Sequence, residues 1–436
     1  MKKSIVFLAL IATLLLVSCA PATPTAAPAT ATPAGPVTIT FWSWVPHIED
    51  QVAEWNETHP DIQVNYVNSG GGGANYTKLK VVLQANSGIP DVDQIEYQHL
   101  PTYIAQGVLL NLADYGANDV KAQFVPWTWS QVSQGDGVYA YPQDAGPMVM
   151  FCNTAVLDKY SIAIPTTWDE FATAAAALHK ADSKVYLSNF TADQGWFFGM
   201  LWQSGAHPFI VNGQNITVNF TSPEVTRVAK LWDDLMKSGN LSPVDTYTND
   251  WNTALGNGSV ACWQSGAWGT FISGSSPDYK GKWKIVQMPQ WTAGGKANGN
   301  YGGSTIAVMK ASAHPKEAAA FAQWLTTDPK VTVEVTAADK AGLFPVNQGT
   351  LANADWLGVK DEYWSGQAIH QVMADAAQQV NVDFGWSPFT DFVYTTYADE
   401  LIQVKAGKIS FEQAMKNLQA KVVTYAKDQG FTVTTP

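Results

Sequence analysis

Apolar and polar positions along this chain repeat with two different periods, and the switching between them predicts a regular order of strands and helices. Residues 37–42 alternate with the period of two that a half-buried strand requires. Residues 48–58 repeat at helical spacing and stop at His59-Pro60, and 62–67 return to strand, which predicts a βαβ beginning. Gly70 to Gly73 are four glycines without a Gly-Lys-Ser/Thr continuation, so they predict a flexible turn and no phosphate loop. A helix over 76–86, a short strand over 93–96 and a helix over 100–106 follow. Apolar strand-like runs lie at 148–152 and 259–263, and further helices are predicted at 168–180, 222–237, 315–326, 369–379, 389–403 and 410–427. No internal repeat is visible. The alternation of element types predicts an α/β protein.

A different segment precedes the first strand. Lys2 and Lys3 lead into an apolar run over 5–17 and then Leu16-Val17-Ser18-Cys19, a secretory signal too short to span a bilayer once cleaved. The last four residues resemble the lipobox of a bacterial lipoprotein precursor. That resemblance implies a signal peptide over 1–18 and lipidation of Cys19, tethering the protein to the outer face of the cytoplasmic membrane. Two or three acyl chains anchor stably where one binds only reversibly. Residues 19–36 are almost entirely Pro, Ala and Thr, an extended spacer with too little apolar bulk for a core. The body beyond it is too long for one hydrophobic core and is expected to form two lobes. Net charge is −12 and no basic patch occurs, which argues against nucleic acid as a partner. Cys152 and Cys262 can pair outside the cell, and two buried free thiols fit the same apolar runs.

The side-chain inventory narrows the ligand. The chain has 18 Trp and 16 Tyr but a single arginine, Arg227, which falls inside the helix over 222–237 and is expected in a surface ion pair. Planar anions usually recruit Arg for its bidentate fork, so anionic ligands are disfavoured. Indole faces beside Asp, Glu, Asn and Gln suit a neutral ligand with one apolar face and a hydroxyl rim, as a sugar has. Trp55, Trp232 and Trp324 occupy apolar helical positions and read as core, and Trp168 starts a helix capped by Thr167. Trp44, Trp196, Trp251, Trp268, Trp291 and Trp386 fall near strand ends, where open α/β sheets bind ligands. No Gly-x-Ser-x-Gly elbow and no His-x-x-x-His pair is present. A glycosidase carboxylate pair remains compatible, with Glu96 and Asp144 as candidate acids.

Tyr76-Thr77-Lys78-Leu79, Asn86-Ser87-Gly88-Ile89-Pro90-Asp91-Val92, the stretch from Gln106 to Leu112, the stretch from Gly137 to Pro147, Pro165 to Phe171, Gly302 to Val308, and Gly342-Leu343-Phe344-Pro345-Val346 form an ordered set of motifs. That set resembles the extracellular solute-binding proteins, family 1, of ABC sugar importers. The resemblance covers nearly the whole chain from Thr38 onward. It implies a type II periplasmic-binding-protein-like fold of two α/β lobes, 37–144 with 304–344 and 145–303 with 345–436, joined by three hinge crossings around an interlobe ligand cleft. It implies a monomeric binder, no enzyme, that delivers a di- or oligosaccharide to the transmembrane subunits of a permease without cofactor or metal. Candidate ligand contacts are Trp44, Glu96, Tyr97, Gln143, Asp144, Trp196, Trp251, Trp268, Gly303, Ser304 and Trp386. Gly302 and Gly303 permit close backbone approach. A polyamine in the same fold, a secreted glycoside-active enzyme, and a surface sugar receptor are the alternatives.

Overall fold

The computed structural model describes residues 35–337 and 340–436. The segments predicted as signal peptide, lipidated cysteine and most of the spacer lie outside them.

Residues 37–436 are built around two main sheets. The first orders its strands Ile62–Asn68, Val37–Ser43, Val92–Glu96, Ser304–Val308, Ala140–Pro142. Its first three strands run parallel, and Ser304–Val308 lies antiparallel to both its neighbours, with Ser304 opposite Glu96. The parallel strands therefore end where the late strand begins. Helices Ile48–Thr58 and Pro315–Thr327 cover this sheet, with Phe321 edge-on to Phe41 and Trp55 tilted against Trp324. The second sheet is antiparallel, Cys262–Gly266, Met148–Asn153, Trp283–Gln287, and every residue of its first two strands is buried. A small third sheet joins Phe209–Asn212, Asn215–Val218 and Thr432–Thr434. Among the described residues no helix is long and apolar enough to cross a membrane.

Most predicted elements form within a residue or two of their expected bounds. Trp168–Ala181 opens on a reciprocal capping box between Thr167 and Glu170, which satisfies two orphan backbone donors. Three departures have identifiable causes. The helix expected from Tyr76 begins at Gly72, despite the poor helix propensity of glycine, because buried Asn75 ties its first turn to Asp93 and to the Gln94 carbonyl. Gln194–Ser204 was not expected as a helix; all its residues but the first two are buried, so it has no polar face to reveal a helical period. The strand expected over 259–263 lies at Cys262–Gly266, since the apolar run at its start pairs only in an isolated bridge to Tyr186. Arg227 makes no ion pair among the described residues. Its guanidinium donates to the Ser204 carbonyl at 2.9 Å and lies 4.5 Å over the Trp291 ring.

Cys152 and Cys262 stand opposite each other on neighbouring strands and are bonded, closing a separation of 110 residues. Linking positions so distant removes much chain entropy from the unfolded state. Replacing both cysteines with alanine is expected to lower unfolding stability by about 3–5 kcal/mol, read as a lowered melting temperature that reductant reproduces in the unaltered protein and leaves unchanged in the variant.

Candidate functional site

The strand ends of the first sheet are organised by one buried amide. Gln94 Oε1 accepts from Ser43 Oγ (2.6 Å) and from the Trp44 backbone N–H (3.1 Å), while its Nε2 donates to Ser304 Oγ (2.9 Å). These bonds fix the turn that presents Trp44, whose half-buried ring stands edge-on to Tyr76 at 6.2 Å. Glu96 is held next to it. The Tyr76 hydroxyl donates to Glu96 Oε2 (3.0 Å) and accepts from the Glu96 N–H (2.9 Å), so the carboxylate is oriented before any ligand arrives.

Segments 143–147, 300–304 and 344–345 meet beside these strand ends. Gln143 N–H and Asp144 N–H donate to the Ser304 carbonyl, Ser304 N–H donates to Asp144 Oδ1 (2.7 Å), Tyr301 N–H donates to the Gly146 carbonyl, and Ala145 N–H donates to the Phe344 carbonyl. A Cβ on Gly146 would lie 1.8 Å from the Tyr301 carbonyl oxygen, and one on Gly303 would lie 2.8 Å from that of Asp144. Gly303 also sits at φ +90°, outside the range of L side chains. Burial pushes the Asp144 carboxyl up to about 7, and the Glu96 carboxylate adds to the effect against the bonds from Ser304.

On the second sheet's side, Trp268 donates from Nε1 to the Tyr301 carbonyl (2.7 Å) and keeps a half-buried ring 5.0 Å from that of Tyr301. The Tyr301 hydroxyl meets that of Tyr247 at 3.0 Å. Burial first, and then the Asp193 carboxylate, hold the Tyr301 phenol far above its ordinary range. Asp193 caps helix Gln194–Ser204 by accepting from the Trp196 N–H. Tyr394, in the first turns of helix Thr390–Lys405, has a buried hydroxyl without a hydrogen-bond partner among the described residues. Its burial and the carboxylates of Asp193, Glu96 and Asp391 keep that phenol neutral. The groups that act on Tyr394 thus come from strand Val92–Glu96 of the first sheet, from the cap of helix Gln194–Ser204 and from its own helix. Asp391 itself binds His99 Nδ1 (3.1 Å) and Lys80 across the same space, and these contacts hold its carboxyl well below the usual range.

The structure gathers Trp44, Glu96, Tyr97, Gln143, Asp144, Trp268, Gly303 and Ser304 in this region, with the side chains of Tyr97 and Gln143 turned away from its open side, and places Trp196, Trp251 and Trp386 elsewhere. Tyr97 is buried, with its hydroxyl donated to the Asp144 carbonyl (3.1 Å). Gln143 turns towards a void of about 10 Å³ among Leu325, Val335 and Leu343, room for barely one water. Trp196 is core: it packs on Trp232 and its indole N–H is spent on the Gln264 carbonyl. Trp251 is core as well, bonded to Asn189 Oδ1 and packed on Trp263. Trp386 stacks on Phe198 and borders a separate cavity of about 380 Å³ with Ile104, Gln131, Phe209 and Phe431. Ser304 is in the region, but its hydroxyl and amide are engaged by Gln94 and Asp144, which makes it a positioning residue. Sequence reasoning missed Asp193, Tyr247, Tyr301 and Tyr394. The signal for Asp193 was present, as an N-cap aspartate ahead of Gln194-Gly195-Trp196, but the neighbouring indole drew the inference.

The match to the family model described as bacterial extracellular solute-binding protein covers residues 43–332. The chain belongs to that family. Its members bind solutes outside the cytoplasm, and this solute-binding protein shares its fold with solved relatives. The ABC transporter associated binding protein of B. animalis subsp. lactis, solved with β-1,6-galactobiose, is 30% identical with a TM-score of 0.79 over 92% of this chain and 100% of that one. The galacto-N-biose/lacto-N-biose I-binding protein of Bifidobacterium longum, solved with lacto-N-biose, is 26% identical with a TM-score of 0.80 over the same shares. An arabinooligosaccharide-binding protein of Halalkalibacterium halodurans is 25% identical over 405 residues, 89% of each chain. The architecture is the two-lobed, type II periplasmic-binding-protein fold, with a ligand cleft between the lobes.

The raised Asp144 carboxyl makes stability of this solute-binding protein depend on pH. Folded protein retains a proton on Asp144 that the unfolded chain, titrating near 3.8, has already released. Its contribution to stability therefore falls as pH rises from about 4 to about 7 and is level above that. Asp144→Asn removes this fall, so the variant is expected to gain melting temperature relative to the unaltered protein between pH 4 and pH 8. Thermal melts across that range check it, and parallel curves contradict it.

Proposed function

We propose that this protein is the substrate-binding component of an ABC importer that holds a neutral di- or oligosaccharide between its lobes and passes it to the transmembrane subunits of a permease. The observation that carries this reading is the Tyr394 hydroxyl, buried without a partner among the described residues and acted on by the carboxylates of Asp193, Glu96 and Asp391, in a region that also holds the half-buried indoles of Trp44 and Trp268. A sugar ring offers what such a place asks for, an apolar face for an indole and hydroxyls that donate to carboxylates while accepting from a neutral phenol. The relatives named above, solved with or named for sugars of two or more rings, support the same class.

In this reading lobe one comprises 37–144 with 304–344, lobe two comprises 145–303 with 345–436, and the segments that meet at Asp144, Gly303 and Phe344 are the hinge. Trp44 and Glu96 contact the sugar from lobe one, with Trp268, Asp193 and Tyr394 from lobe two. Cys19 carries the lipid, 19–36 is the spacer, and the working form is a monomer.

A second reading has one observation in its favour. A carboxyl raised to about 7 near another carboxylate is also how a glycosidase divides acid from base. Asp144, however, accepts from a backbone amide of the hinge, a placement that suits holding better than proton transfer.

A thermal-shift panel of mono- and oligosaccharides, with spermidine as control, tests the proposal by mass action. The expected result is a raised melting temperature with one oligosaccharide and that sugar recovered intact. A response to spermidine alone sinks the carbohydrate reading, and recovery of cleaved sugar makes the protein an enzyme. Trp44→Ala is expected to weaken binding of the responding sugar about tenfold, roughly 1.4 kcal/mol, by calorimetric titration.

A further inference from the structure

The aromatic wall of lobe two continues outward past the groups assigned above. Its hub is Trp263, fully buried in strand Cys262–Gly266. This indole meets four other rings near edge-on, those of Trp251 (4.9 Å), Phe271 (5.8 Å), Tyr247 (6.0 Å) and Trp268 (6.1 Å). Two of the four are exposed, Tyr247 at 44% and Phe271 at 48%. A large apolar side chain left in water beside a buried prop is more informative than a scattered surface leucine.

Orientation adds to exposure. The Phe271 ring lies parallel to that of Trp268 within 5°, with centroids 6.2 Å apart. Tyr247 holds a backbone φ of +68°, which a bulky aromatic residue adopts only at a cost, and such strain gathers at ligand-contacting positions. The strained turn places the Tyr247 hydroxyl against that of Tyr301, next to Trp268. One buried indole therefore supports a continuous ledge that starts at the candidate sugar platform and runs to solvent.

We propose that this ledge is an outer subsite that takes the third and later rings of an oligosaccharide whose first two rings occupy the cleft, and that Phe271 sets the preference for chain length. The inference rests on the sugar-binding reading and adds a chain-length requirement to it. Pyranose and furanose rings both present C–H faces that pack on aromatic rings. Two parallel platforms suit successive residues of one chain, and the paired Tyr247 and Tyr301 hydroxyls supply neutral hydrogen-bonding groups at the edge. Among the described residues the ring partners of Phe271 are Trp263 and Trp268, and the bond from the Trp268 indole to the Tyr301 carbonyl does not involve Phe271, so its loss leaves the inner platform anchored.

Calorimetric titration of the protein and its Phe271→Ala variant with β-1,6-galactobiose, β-1,6-galactotetraose, arabinobiose and arabinotetraose tests the proposal. For the sugar that binds, the unaltered protein is expected to hold the tetrasaccharide at least tenfold more tightly than the disaccharide. Phe271→Ala is expected to weaken the tetrasaccharide five- to tenfold and leave the disaccharide within twofold, and Phe271→Tyr is expected to restore the preference. Equal affinity for both lengths, or an equal loss on both in the variant, overturns the subsite while leaving the sugar-binding reading standing. No binding of any of the four sugars by the unaltered protein overturns the subsite for these chains, and silence across the whole saccharide panel of the thermal-shift test overturns the sugar-binding reading as well. A melting temperature for Phe271→Ala within a few degrees of the parent shows that the comparison is between folded proteins.

Discussion

The close contact between residues 143–147 and 300–304 is the constraint on which the rest of the structure depends. The chain leaves the first sheet after Ala140–Pro142 and returns to it at Ser304–Val308, and the two passages hydrogen-bond backbone to backbone as they cross. They approach so closely that a methyl group on Gly146 or Gly303 would overlap the opposite strand. Side-chain packing cannot set such a spacing, so it is fixed by hydrogen-bond geometry alone. That fixed spacing brings Glu96 at the end of one sheet near Asp144 at the crossing, and sets Trp268 against the Tyr301 carbonyl. In the proposed reading this crossing is the hinge about which the two lobes turn.

The wealth of tryptophan has a mainly structural meaning. Trp168, Trp196, Trp232, Trp251 and Trp263 are buried and pack edge-on to one another or to phenylalanine, a preferred aromatic geometry that fills the core around helix Gln194–Ser204 and strand Cys262–Gly266. What distinguishes a platform from a core indole is how much of its face stays open. Trp44 and Trp268 keep theirs half-buried at the edge of the crossing. Carboxylates and neutral phenols, more than indoles, bring polarity to the cleft, which is consistent with a ligand that carries hydroxyls and no charge.

Legibility in the sequence followed local physics. Helices with one apolar face and a capping residue, such as Trp168–Ala181 with its Thr167 box, could be placed from the pattern, and so could the βαβ start. Gln194–Ser204 was hidden because burial on nearly all sides erases the period. Trp44 and Glu96 were singled out because strand ends bind ligands in this class of sheet, and the structure places both at the ends of parallel strands of the first sheet. Trp196 drew attention for a related reason: Asp193 and Trp196 lie on one helical turn, where the aspartate caps the helix and the indole turns inward to the Gln264 carbonyl. Tyr394 carried no local signal at all. Its position depends on how helix Thr390–Lys405 meets carboxylates remote in sequence, which only the tertiary structure supplies. The partnership of Cys152 with Cys262 likewise required the strand register.

The central claim is that the ligand is a sugar held at this crossing, between the lobes. The most direct measurement is a crystal structure of the protein with a bound oligosaccharide. The account predicts a sugar ring against Trp44 or Trp268, with hydroxyls on Glu96 and Tyr394 and the chain leaving past Phe271. A sugar seated instead in the cavity bordered by Phe209 and Trp386, with the region around Asp144 untouched, would contradict it.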